Sequence, residues 1–276
     1  MRITILLENT SGSSTLTAKH GLSVFIETKN QKILFDMGPD DSFLQNAKTL
    51  GTDIAEADLA VLSHGHNDHG GGLIPFLENN RTAPVYCSEK AFGEYYSLKD
   101  SGCKYIGLEK IPDRFSGRFL PVRDNVFEIN SELTIFQNRC CSSFFPTTNG
   151  NLKEMVFGEL AKDRFLHEQN LLVRSEGKSL LLAGCAHCGI LNILDTCREN
   201  FGEYPDFILA GFHLFSEGTG YKEPTEQVLA LGKALKEKGN AVYFTGHCTG
   251  KAAYEELKTV LGERICAITT GMQIEI

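Results

Sequence analysis

The sequence predicts an α/β fold in which sheet layers are flanked by helices, and three observations carry that expectation. Short runs of β-branched and aromatic residues open the chain. Apolar runs that end in glycine recur later, each leading into a helical pattern. Six of the eight histidines fall just after an apolar strand, where functional loops sit at the carboxyl ends of strands.

The opening strands are expected at 2–7, 22–28 and 31–35, as a meander that ends at Phe35-Asp36-Met37-Gly38. Residues Ser42 to Leu50 have helical spacing in Phe43, Leu44, Ala47 and Leu50, and Gly51 supplies a stop signal. A strand over Asp58 to Ser63 follows. Later strands are expected at Ser179 to Gly184, Phe207 to Gly211 and Val242 to Gly246, with helices over 189–199, 224–238 and 250–261. Residues 84–170 are less regular and include Cys140-Cys-Ser-Ser-Phe-Phe-Pro-Thr-Thr-Asn-Gly150. A long irregular stretch of this kind reads as a lid or substrate loop. With no repeat and no clear linker, residues 1–276 read as a single domain.

Composition narrows the function classes. The 276 residues are 42% hydrophobic and 22% charged, enough for a substantial core. The net charge is −8, and the basic residues are scattered, as at Arg114, Arg118 and Arg123. Nucleic-acid binding rests on phosphate neutralisation, so none is expected. The apolar run at the N-terminus is too short for a signal segment, and nothing approaches the 18 or more apolar residues of a spanning helix. A cytoplasmic protein acting on a small molecule, with no membrane partner, is the expectation. Nine cysteines in a chain of this length argue for reduced thiols rather than a disulfide framework.

The chemistry concentrates in His64-Gly65-His66-Asn67-Asp68-His69. A single histidine is ordinarily a hydrogen-bonded surface or core residue, but four metal-type side chains within six residues at a strand end point to metal. His64 and His66, two apart in extended backbone, can point the same way while Asp68 and His69 turn elsewhere, so that each pair serves its own ion. Imidazole and carboxylate suit Zn²⁺, and also iron or manganese. Gly70-Gly71-Gly72 is expected to let the chain turn tightly behind these ligands. His187, His213 and His247 each follow a later strand, so adjacent strand ends would gather them at one edge. Cys185-x-x-Cys188 lacks a second cysteine pair nearby in sequence, and Cys197 and Cys248 stand isolated, so neither a redox pair nor a structural zinc site is favoured.

These motifs resemble the metallo-β-lactamase superfamily. Its H-x-H-x-D-H motif stands here as His64 to His69, and Phe35-Asp36-Met37-Gly38 is similar to its first motif. Gly184-Cys-Ala-His-Cys-Gly-Ile190, Gly211-Phe-His-Leu214 and Gly246-His-Cys-Thr-Gly250 resemble the branch that holds dihydropterin/ribofuranosylaminobenzene-phosphate synthase homologues, usually described as metal-dependent hydrolases. The resemblance implies a four-layer αββα sandwich with two mixed sheets and two divalent metal ions, zinc first. It implies His64, His66 and a later histidine, His187, on one ion, and Asp68, His69 and His247 on the other. His167 is a further candidate for the intermediate position. Asp36 would orient the metal loop from behind. Where the superfamily commonly places a bridging aspartate, this chain offers Cys185, as a soft ligand or a buried structural thiol. His213 would contact substrate, move a proton or bind metal.

A metal-acidified water attacking an ester, lactone or phosphoester is the first functional expectation, with Asp68 orienting the nucleophile. Oxygen-reducing diiron relatives typically carry glutamate where this chain has His66, which disfavours an oxidoreductase. Two alternatives stand beside hydrolysis. One is a pterin-condensing synthase of the same fold, with Phe144, Phe145 and Pro146 walling a flat ring. The other is a non-catalytic metal-dependent binding protein, which full coordination with no open position would favour.

Overall fold

A computed structural model describes residues 1–99, 101–138 and 143–276. In chain order the elements begin with β1 (Arg2–Leu7), β2 (Ser23–Glu27), β3 (Lys32–Phe35), α1 (Ser42–Leu50), β4 (Leu59–Val61), α2 (Asn67–Gly70), α3 (Leu73–Asn79) and β5 (Val85–Ser88). They continue with β6 (Tyr95–Lys99), β7 (Gly102–Tyr105), β8 (Phe119–Val122), β9 (Val126–Glu128), β10 (Leu133–Phe136), β11 (Leu152–Val156) and β12 (Glu159–Lys162). The last are β13 (Asn170–Ser175), β14 (Lys178–Ala183), α4 (Ile190–Phe201), β15 (Phe207–Ala210), α5 (Thr225–Glu237), β16 (Val242–Thr245), α6 (Lys251–Leu261), β17 (Ile265–Ala267) and β18 (Gln273–Glu275). Among the described residues no helix is long and apolar enough to cross a membrane.

The chain divides into two compact units. The first comprises Met1–Glu94, Ile106–Arg123 and Ile268–Ile276, and the second Tyr95–Tyr105 and Asp124–Ala267. In the first unit seven strands form one sheet in the order β18-β1-β2-β3-β4-β5-β8. The expected meander β1-β2-β3 is antiparallel, and β3, β4, β5 and β8 run parallel. Helix α1 buries Phe43 and Ala47 four residues apart, so one face meets the core made by Leu6, Phe25, Leu34, Leu62 and Phe76. It ends where the sequence signals, with Gly51 left-handed at φ 73° and donating back to Lys48.

The second unit holds a seven-stranded sheet in the order β17-β16-β15-β14-β13-β10-β9. Strands β14 to β17 are parallel neighbours, and β14, β13, β10 and β9 pair antiparallel. Helices α4, α5 and α6 are the strand-loop-helix partners expected from sequence. Buried Ile190, Ile193, Leu194 and Cys197 form one stripe of α4, and Val228, Leu231 and Leu235 one of α5. On α5, Gly232 carries no side chain because a Cβ there would lie 3.2 Å from Val260.

The expected irregular stretch 84–170 holds eight short strands among its described residues. It contains β5 to β12, and β12-β11-β6-β7 form a separate four-stranded antiparallel sheet. Its strands are short, β7 is exposed throughout, and the buried alternate positions of β6 and β11 include polar Ser97 and Glu154, so the sequence lacks the hydrophobic alternation of a half-buried strand. Within the Cys140 to Gly150 run, residues Cys140, Cys141 and Ser142 lie outside the described residues. Thr147–Asn151 forms a 3₁₀ helix, and Phe144 packs against the core of the second unit.

Candidate metal centre

Parallel pairing of β3 with β4 sets Phe35 opposite Val61, so the residues leaving both strands are neighbours. Asp36 and Ser63 meet there. The Ser63 N–H donates to Asp36 Oδ1 at 2.7 Å, and the Ser63 hydroxyl donates to Asp36 Oδ2 at 2.7 Å. His69 Nδ1 lies 2.6 Å from the same Oδ2, and His64 Nδ1 lies 2.8 Å from Ser63 Oγ.

These bonds fix the proton positions. Asp36 only accepts, so His69 carries its proton on Nδ1. The Ser63 hydroxyl donates its hydrogen bond to Asp36, so its oxygen accepts from His64, which is therefore protonated on Nδ1 as well. Both rings then present the Nε2 lone pair, the form in which imidazole ligates a metal. His64, His66 and Asp68 each offer a ligand atom within 4.8 Å of one another, and His69 Nε2 is 3.8 Å from Asp68 Oδ2. Asp68 pairs with His69 and also stays within reach of His64 and His66. Helix α2 begins immediately after His66, and its first turn brings the carboxylate back to them.

The glycines behind this loop are needed for close approach rather than for a special turn. Gly71 has an ordinary helical φ of −61°, but a Cβ there would lie 2.1 Å from the Pro39 carbonyl oxygen. At Gly72 it would lie 2.3 Å from the Met37 carbonyl oxygen. Any side chain would push the metal-type loop off the β3 exit.

In the second unit, the parallel registers Ala183 with Ala210 and Leu209 with Phe244 align three strand exits. They carry Cys185 and His187, His213, and His247 and Cys248 respectively. His187 is held from several sides. Asn149 Nδ2 donates to the His187 carbonyl at 2.8 Å, while Asn149 Oδ1 lies 2.9 Å from His187 Nδ1. That amide orientation makes Oδ1 the acceptor, so His187 too is protonated on Nδ1 and presents Nε2. Phe165 stacks on the ring at 4.6 Å and 4°. Below it, Glu168 Oε1 accepts the His187 N–H at 2.6 Å and Oε2 accepts the Cys188 N–H at 2.9 Å. Burial pushes the Glu168 carboxyl pKa up, against the opposing pull of the Cys188 and His187 bonds.

His213 is buried, and neither ring nitrogen has a hydrogen-bond partner among the described residues. Its ring lies 4.3 Å from that of His187. Cys248, set aside from sequence as isolated, is brought beside Cys185 and His213. Burial raises the Cys248 thiol pKa, but the Cys185 and His213 side chains beside it and the charge of His247 outweigh this and hold it well below the usual thiol range. Cys197 remains an ordinary core thiol, pushed up to about 12 by burial. His167 Nε2 lies 3.2 Å from Asp163 Oδ2, with the Tyr95 ring 4.0 Å away. Phe145 lies beneath the Lys162 ammonium at 5.1 Å.

Four contributors escaped the sequence reading. His20 Nε2 lies 3.3 Å from Asp68 Oδ2, and His20 Nδ1 lies 3.2 Å from Asn9 Nδ2, so Asn9 and Asp68 bracket the ring. Asn149, Glu168 and Cys248 are the others. The polar run His167-Glu168-Gln169-Asn170 entering an apolar strand was the one available signal, since buried polar groups need partners.

The donor set of each unit thus fits divalent metal, and its folding logic is that of one superfamily. The profile of the metallo-beta-lactamase superfamily matches residues 16–247, and the chain belongs to that superfamily. Its fold is accordingly the metallo-β-lactamase fold, of the α/β class with mixed sheets and helices. Among individual proteins, it is similar to the 7,8-dihydropterin-6-methyl-4-(beta-D-ribofuranosyl)-aminobenzene-5'-phosphate synthase of Methanocaldococcus jannaschii. That likeness is 26% identity over 264 residues, covering 91% of this chain and 88% of the relative. It is also similar to the crystal structure of Tm1679, a metal-dependent hydrolase of the beta-lactamase superfamily, at 29% identity and a TM-score of 0.84 over 100% of this chain and 99% of that one. Zn²⁺-bound PqqB from Methylobacterium extorquens shares the fold at 13% identity and a TM-score of 0.60, over the full length of both chains.

Proposed function

We propose that this protein is a hydrolase that uses two divalent metal ions, zinc first, on an ester, lactone or phosphoester of a small molecule. One observation carries the reading: His64, His69 and His187 are each locked with the proton on Nδ1, by Ser63, Asp36 and Asn149, so that three Nε2 lone pairs are prepared in advance. Superfamily membership supports assigning His64, His66 and His187 to one ion and Asp68, His69 and His247 to the other.

Divalent ions bound to these residues supply an acidified water and charge stabilisation for a developing oxyanion. The chain supplies the geometry. Asp36 keeps His69 oriented and the exit of β4 fixed, and Asn149 does the same for His187. The Asp68 carboxylate accepts a hydrogen bond from the attacking water and aims it, while His20 steadies its Oδ2 from the other side.

Removing metal with a chelator should abolish turnover of a panel of esters, lactones and phosphodiesters, and adding back Zn²⁺ should restore it. His66→Ala should be inactive with its melting temperature close to that of the wild type. A second reading, condensation of a pterin diphosphate with an aromatic phosphoribosyl partner, is favoured by the likeness to the Methanocaldococcus jannaschii synthase. Turnover of the pterin pair with the hydrolysis panel untouched would replace the first reading by the second.

A further inference from the structure

We propose that Cys185, His213 and Cys248 form a thiolate-rich site for a thiophilic divalent ion such as zinc, held by two sulfurs and one imidazole nitrogen. The site lies within the second unit and adds Cys248 to Cys185 and His213, both of them candidate ligands from sequence.

The three side chains leave consecutive parallel strands, Cys185 after β14, His213 after β15 and Cys248 after β16, so register alone brings them to one end of the sheet. Each offers a ligand atom within 4.8 Å of the other two, and all are buried. Zn–S bonds of about 2.3 Å and Zn–N bonds of about 2.0–2.1 Å in a tetrahedron place ligand atoms roughly 3.5–3.8 Å apart. Closing onto an ion therefore takes side-chain movement of about an ångström and no change of fold.

The surroundings are built for this cluster. Both ring nitrogens of His213 are buried without a hydrogen-bond partner among the described residues, an arrangement that costs stability unless something ligates the ring. The His213 backbone N–H donates to Cys248 Sγ at 3.3 Å, and that sulfur lies 3.7 Å from the Cys185 carbonyl oxygen, so it is held between the two other members of the cluster. Gly211 makes room for that sulfur, since a Cβ there would lie 2.5 Å from it. Ala186, His213 and His247 all hold left-handed backbone, with φ of 50°, 47° and 50°. None is glycine, and each is a ligand or adjoins one. Strain clustered in this way is kept where geometry matters. The bland account is that the thiols pack as small apolar groups. Cys87 and Cys197 fit that account, because neither joins a ligand group among the described residues.

The test uses the full chain, stripped of metal by chelation, kept reduced and anaerobic, and titrated with Co²⁺. The wild type should develop a sulfur-to-cobalt charge-transfer band in the near ultraviolet. Cys248→Ser should lose about half its intensity, and the double variant Cys185→Ser, Cys248→Ser all of it. The band should persist in His66→Ala, so failure of the hydrolase reading would leave it standing. X-ray absorption of the zinc-loaded wild type, which needs no variant to fold, should show sulfur neighbours at about 2.3 Å. Absence of the band or of the sulfur shell in the wild type, or an undiminished band in Cys248→Ser, overturns the proposal.

Discussion

His69 Nδ1 lies 2.6 Å from Asp36 Oδ2, and both side chains are wholly buried. Asp36 sits in left-handed backbone at φ 56°, a conformation that aspartate adopts more readily than most side chains. Its two oxygens accept from the Ser63 N–H, the Ser63 hydroxyl and His69, so an isosteric amide cannot replace it. In Asp36→Asn the NH₂ group would face either Ser63 N–H or the Nδ1 edge of His69. Facing His69, it pushes the histidine proton to Nε2 and blocks the ligating lone pair. We expect metal affinity to fall roughly 10- to 100-fold and stability by about 1–3 kcal/mol. Competition with a chromophoric chelator and a thermal melt would read both. Unchanged affinity in a folded variant would remove Asp36 from the metal argument.

Asn149 grips His187 through both ends of its amide. Asn149→Ala leaves the ring stacked on Phe165 but free to change tautomer. Affinity should fall, while Asn149→Asp, which keeps an acceptor for Nδ1, should recover part of the loss. Equal affinities for the Ala and Asp variants, measured in the same titration, would show that the amide merely packs.

The contrast between Asp36 and Asn149 shows what the sequence made legible. Asp36 lies at the end of a clear strand, one strand before the histidine run, and parallel pairing of neighbours is a topology rule, so its place could be anticipated. Asn149 lies in a 3₁₀ turn of a segment whose short exposed strands give no periodic signal, and its partner is 38 residues away. Cys248 looked isolated because 63 positions separate it from Cys185, although β14, β15 and β16 bring them together. The late strands and helices were readable because buried β-runs and amphipathic stripes are local patterns. Side-chain pairing across strand exits is not local, and Glu168 and His20 were missed for that reason.

Glu168 gives a sharper case, because a buried carboxylate is costly unless its bonds repay desolvation. It accepts the N–H groups of His187 and Cys188 with separate oxygens. Glu168→Gln removes the charge but turns one acceptor into a donor facing a backbone N–H. We expect a net loss of about 1–3 kcal/mol together with weaker metal binding through a displaced His187. A variant as stable as the wild type, with the same affinity, would mean that the carboxyl is already protonated and holds nothing.

Burial pushes the Cys87 and Cys197 thiols up to about 12. The neutral form is the one favoured, so both thiols stay protonated at pH 8. In native protein, iodoacetamide should label exposed Cys103 first and leave these two unlabelled until the pH approaches their raised values. Peptide mapping after a timed pulse would check the order. Early labelling of Cys197 would mean that α4 opens readily.

Gly71 separates the packing of the metal-type loop from its chemistry. A methyl group at this position meets the carbonyl oxygen of Pro39 at 2.1 Å and that of Asn67 at 2.6 Å, both backbone atoms that cannot swing aside. Because φ is −61°, alanine suffers no conformational penalty, and the whole effect is steric. Gly71→Ala should therefore cost at least the roughly 1–3 kcal/mol typical of overpacking, and it should lower metal affinity by moving Asp68 and His69 away from the Asp36 anchor. Gly12→Ala, with nothing within 4 Å of the added carbon, is the control and should melt with the wild type. If Gly71→Ala melted with them and bound metal normally, the close approach of the α2 loop to the β3 exit would not be what holds the ligands in place.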